Sequence, residues 1–88
     1  YTTNTSARTL SAYSIAADGT TALVGSSGVA ATASGPPIDA IVSPDGKFLY
    51  LVDSGEGVDT FTIDANGALT LLNNLTGIST TLNGIVAY

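Results

Sequence analysis

Two stretches of this chain are built alike, and that likeness limits what it can fold into. "LSAYSIAADGTTALVG" (Leu10–Gly25) and "VDTFTIDANGALTLL" (Val58–Leu72) each join two runs rich in apolar and β-branched residues through an Asp-Gly or Asn-Gly turn. Aligned without a gap, Ile15 falls on Ile63, Gly19 on Gly67 and Leu23 on Leu71, with Tyr13 over Phe61 and Asp18 over Asn66. A turn of this kind between alternating runs is a strong short-range hairpin signal, because Asn and Gly tolerate positive φ. In "VDTFTID", Val58, Thr60, Thr62 and Asp64 share one face, while Asp59, Phe61 and Ile63 share the other. Apolar residues nowhere recur at helical spacing, so the chain is read as all-β and antiparallel, with about eight strands.

A second, shorter match links "IDAIVS" (Ile38–Ser43) to "LNGIVA" (Leu82–Ala87). Self-similarity at a spacing of about 40–50 residues suits four-stranded units repeated along a chain. One complete unit reads as strands over 38–43, 47–53, 58–64 and 68–73, the first two joined by the turn "SPDG" (Ser43–Gly46). The earlier unit offers strands over 9–16 and 20–25, preceded by the stub "YTTN" (Tyr1–Asn4). The chain is thus expected to form a single domain: a first repeat over about 1–37, a second over about 38–81, and an extra terminal strand over 82–88. The connection "GSSGVAATASGPP" (Gly25–Pro37) reads as extended and flexible, with an extra strand in its Ala/Val part and a stiff exit through Pro36 and Pro37. It has no Lys and no following helix, so it is not a phosphate-binding loop.

The stretch "IDAIVSPDGKFLYLVDSGEGVDTFTIDANGALTLL" (Ile38–Leu72) resembles a blade of the lactonase-type and surface-layer β-propeller repeats. The likeness covers the second repeat well and the first in part. It implies a scaffold rather than an activity, since such blades serve many functions. The catalytic groups of the lactonase-type enzymes come from several blades of a closed ring and cannot be placed on this sequence, which has no His and a single Arg, Arg8. A closed propeller needs about four to eight blades, and two are present here. Three arrangements follow: a piece of a longer propeller, a compact sandwich, or chains that complete one another's sheets. Strand donation from one copy to the next gives a ring if the rotation closes and a filament if it does not. Tyr1, Leu82, Ile85, Val86 and Tyr88 are the residues expected at such a junction.

Composition narrows the chemistry. Seven acids face two bases, for a net charge of −5. Two cations cannot neutralise a useful run of phosphates, so nucleic-acid binding is not expected, and an acidic surface is repelled by anionic lipid. Only 10% of residues are charged, where soluble domains carry about a quarter. A surface of Thr, Ser, Asn, Gly and Ala suits an extracellular protein. The absence of Cys, His and Met points the same way, and a first residue that is not Met fits a processed or excised segment.

Two features are candidate sites. The loop "DSGEGVD" brings Asp53, Glu56 and Asp59 close together between glycines, a candidate set of oxygen ligands for calcium or an ordinary strand-to-strand turn. "NTS" and "NLT" make Asn4 and Asn74 candidate N-glycosylation sites. No cofactor is expected. The function expected is a non-enzymatic extracellular structural protein whose partners are copies of itself, in a fibre or ring. The alternatives are a two-blade excerpt of a lactonase-like propeller and a small adhesive or carbohydrate-binding module.

Overall fold

The computed structural model describes residues 1–79 and 81–88. Nine strands and no helix form among them: β1 (Thr2–Asn4), β2 (Thr9–Ser11), β3 (Tyr13–Ile15), β4 (Thr21–Leu23), β5 (Ala31–Thr32), β6 (Pro37–Val42), β7 (Phe48–Asp53), β8 (Gly57–Ile63) and β9 (Leu69–Leu75). They build open antiparallel sheets in the orders β1-β2-β5, β3-β4 and β6-β7-β8-β9. The chain is all-β, as expected.

The turns set this order. At each of three hairpins an i to i+3 backbone bond closes a tight reversal: Gly19 N to Ala16 O at 2.9 Å, Gly46 N to Ser43 O at 2.9 Å and Gly67 N to Asp64 O at 3.1 Å. The glycine takes positive φ each time (86°, 73° and 81°), which a side chain would oppose. Asn66 does not share that conformation, so the Asn-Gly turn is not the two-residue form implied by the dipeptide. An acid organises each reversal instead. Asp64 accepts the N–H groups of Asn66 and Ala68, Asp18 that of Thr20, and Asp45 that of Lys47.

The four-stranded sheet β6-β7-β8-β9 spans the segment read from sequence as the second repeat, and alternation decides its faces. Across β7 and β8, Leu49 stands opposite Phe61, Leu51 opposite Asp59 and Asp53 opposite Gly57. All six of these residues are buried. Leu49, Leu51 and Phe61 pack with Leu10 of β2 and with Ala33, and Ala31, Ala40, Ile63 and Leu69 close the margins of this core. The core therefore lies between the two repeats, where each covers the apolar face the other cannot bury alone. On the pair β8–β9 the register shifts between Thr60 and Phe61, which face Asn73 and Leu71, so Leu72 is an extra residue on β9.

The segment read from sequence as the first repeat forms shorter, broken strands. Its central strand breaks at Ala12 into β2 and β3, and the strand beside it breaks into β4 and β5 around the loop 25–30. Continuity survives in two bonds to one edge, Val24 N to Ala12 O at 2.8 Å and Ala30 N to Leu10 O at 2.7 Å. The extra strand expected in the Ala/Val stretch is β5. The terminal strand expected over 82–88 is corrected: no strand forms there. The segment instead lies beside β6, with Ile85 N donating to Asp39 Oδ2 at 3.3 Å. A strand requires a ladder partner, and among the described residues 82–88 has none.

Candidate functional site

The most unusual chemistry in the structure is a pair of carboxyl groups under the β7–β8 turn. Strand alternation places Asp53 on the inner face two residues after Leu51, and Asp59 directly opposite Leu51. The two acids are therefore diagonal neighbours on one buried face, within reach of each other. Both are fully buried.

Their surroundings are unequal. Asp59 accepts three hydrogen bonds of 2.7 Å, from Ser34 N, Ser34 Oγ and Asn74 Nδ2. Neither oxygen of Asp53 has a hydrogen-bond partner of standard geometry. Burial pushes the Asp53 carboxyl up to about 7, reinforced by the charge of Asp59 and its side-chain hydrogen bond, opposed by the Gly35 N–H, and raised least by the charge of Glu56. An ionised carboxylate is costly in such a place, so the group is held neutral up to near that value.

Of the three acids singled out for calcium, the structure brings Asp53 and Asp59 together and leaves Glu56 exposed on the turn. Among the described residues no three acids converge as a ligand set for a metal. The Glu56 side chain lies instead over Gly35, where an added Cβ would stand 2.6 Å from its Cγ and 3.3 Å from Asp53 Cβ. The linker thus runs hard against the acid pair. Pro36 O accepts the N–H of Ser54 at 2.8 Å, and Thr5 Oγ1 donates to Pro37 O at 2.8 Å, so both repeats are fastened at this one node.

Both sequon asparagines are engaged within the fold. Asn4 Nδ2 donates to Thr9 Oγ1 and Ser11 Oγ at 3.2 and 3.0 Å, and Asn74 Nδ2 donates to Asp59. A glycan on either nitrogen would have to break into those contacts.

The residues expected at a subunit junction divide into two groups. Tyr1 is held within the chain, its hydroxyl donating to Gly67 O at 2.7 Å. Ile85, Val86 and Tyr88 line a shallow open groove of about 370 Å³ with Ser43, Pro44 and Tyr50. Tyr88 itself is fully exposed, and Leu82 is half-buried. Among the described residues the strands at the ends of the three sheets each have one edge without a ladder partner, and two of these are the outer edges of β1 and β9, the latter with Leu71, Leu72 and Leu75 exposed. Neither edge carries a charged residue. No family model, no curated protein and no solved structure matches the chain.

The acid pair is the feature missed by sequence reasoning in its true form. The spacing of Asp53 and Asp59 was visible, and fixing the turn at 54–56 would have put both on one face. Ser34 gave no signal, because its bond to Asp59 spans the boundary between the repeats.

Proposed function

We propose that the chain is a non-enzymatic, extracellular structural protein whose copies complete one another's sheets by strand pairing, in a fibre or a ring. One observation carries the reading. Among the described residues the segment 82–88, whose sequence matches that of β6, joins no ladder and is held beside β6 only through Ile85 N and Asp39 Oδ2, while the outer edges of β1 and β9 have no ladder partner and no charge. An uncharged open edge is a pairing template unless something covers it, and a donated strand supplies its missing hydrogen bonds. The scarcity of charge and the absence of Cys and His accord with a structural role outside the cell.

Sedimentation and electron microscopy test this directly. Concentration-dependent growth into rings or filaments is the expected result, and a strictly monomeric species at all concentrations would refute it.

A second reading has its own support. The simple strand order β6-β7-β8-β9, with Leu10 and Ala33 of the preceding segment packed on its Leu49, Leu51 and Phe61 face, also fits two adjacent blades of a longer lactonase-like propeller. Discrete discs of several blades made by one longer polypeptide would favour that reading.

A further inference from the structure

We propose that Asp53 and Asp59 form a proton-closed latch between the two repeats: Asp53 keeps its proton and donates it to the Asp59 carboxylate, and loss of that proton loosens the joint. The asymmetry of donors fixes the roles. Asp59 has the three donors that a carboxylate wants, from the linker at Ser34 and from β9 at Asn74. Asp53 has none of standard geometry, the Gly35 N–H being its one nearby donor, and a fully buried carboxylate so poorly bonded and without a counter-charge is a costly state for an acid. As a neutral acid it becomes a donor itself, and Asp59 is the acceptor within reach.

The position gives the proton its leverage. The pair sits where the linker Ser34–Pro37 crosses the β7–β8 turn, and this crossing joins the first repeat to the second. The charged groups acting on Asp53 are all negative: Asp59 from β8 and Glu56 from the turn. The linker presents only the Gly35 backbone, and β9 presents the neutral Asn74. Arg8 lies on the β1–β2 turn, where its carbonyl accepts Ala33 N, and Lys47 lies at the far end of β7; neither charge acts on Asp53. Ionisation therefore puts a second negative charge beside Asp59 with no cation to offset it.

The sign follows from proton linkage. Asp53 has a raised value in the fold and an ordinary one, near 4, when unfolded. Between those values the folded state binds more protons than the unfolded one, so stability falls as pH rises from about 4 to about 7 and then levels. Below about 4 both states are protonated and the stabilisation is fully present.

Two measurements on the whole chain test the latch. Urea unfolding at pH 5 and pH 8 should show an unfolding constant at least about 10-fold larger at pH 8, and Asp53→Asn should remove most of that difference. Carbon-13 carboxyl shifts provide a readout that needs no variant, with the Asp53 resonance titrating near neutrality. The proposal is overturned if Asp53 titrates in the ordinary range near 4, or if Asp53→Asn keeps the full pH dependence of the wild type. It is also overturned if 1 mM calcium, about a thousandfold above a micromolar sensor Kd, stabilises the wild type at pH 8 and not Asp53→Asn, since the pair would then hold a cation rather than a proton.

Discussion

Asn74 Nδ2 donates to Asp59 Oδ1 at 2.7 Å, and it does so because β9 carries one residue too many. Leu69 and Leu71 stand opposite Ile63 and Phe61, so odd-numbered positions begin β9 on the inner face. The extra residue Leu72 shifts the register by one and sets Asn74, rather than Asn73, opposite Asp59. The bulge selects which of two adjacent amides meets the buried acid.

Asn74→Ala should destabilise the chain by about 2 kcal/mol, the usual cost of removing a donor from a charged buried partner. Deleting Leu72 should cost less, because the ladder then closes without the bulge and Asn74 stays opposite Asp59. Denaturant midpoints at constant m-value measure both.

Gly57 begins β8 at φ 106°, and an added Cβ would overlap the carbonyl oxygen of Leu75. Backbone strain and a steric clash with main chain then act together, so Gly57→Ala should cost about 3 kcal/mol or more. Gly55→Ala, also at positive φ but with open space around it, should cost less. Thermal unfolding of the two variants side by side checks the ranking.

Asp45 organises the turn into β7 by accepting Ser43 Oγ at 2.6 Å and Lys47 N at 3.1 Å, and those bonds hold its carboxyl below the usual range. A depressed value in the fold gives stability that is present above about pH 4 and is lost as pH falls further. Asp45→Ala should therefore weaken the protein at pH 6, and the difference from wild type should vanish near pH 2. This acid limb is opposite in sign to the effect of Asp53, so the two are separable on one pH series.

Removing Leu82–Tyr88 should leave a folded chain, because the core of Leu10, Leu49, Leu51 and Phe61 takes nothing from that segment. If the segment is the donated strand, the truncated chain should stay monomeric under conditions where the full chain assembles. Unchanged assembly in light scattering would remove the tail from the interface.

Much of this architecture was legible because turns and alternation are local. Asp-Gly and Asn-Gly marked the hairpins, and the alternation of Asp59, Phe61 and Ile63 gave the inner face of β8 before any coordinates. The fracture of the first repeat was less visible, since nothing in "LSAYSI" marks Ala12 as a break. The bulge at Leu72 was hidden for a similar reason: "LTLLNN" fits two registers equally well, and only the paired strand chooses. The sequence places Asp53 and Asp59 at the ends of two strands flanking a turn, which fits either a calcium loop or an ordinary turn. That both face one core depends on the length of the turn between them and on a linker some twenty residues away.

The hairpin β3–β4 has a further consequence. All six of its strand residues are exposed, Ile15 at 75% and Tyr13 and Leu23 at 43%, so the rest of the chain covers it only in part. A two-stranded ribbon is barely self-supporting in water, and its amides should exchange with solvent through local opening rather than through global unfolding. The molecule thus has two tiers of persistence: a slowly exchanging body built on β7 and β8, and an arm that opens and recloses many times before that body does. Any surface that captures the arm will announce itself as protection gained at Tyr13–Leu23, without a change elsewhere.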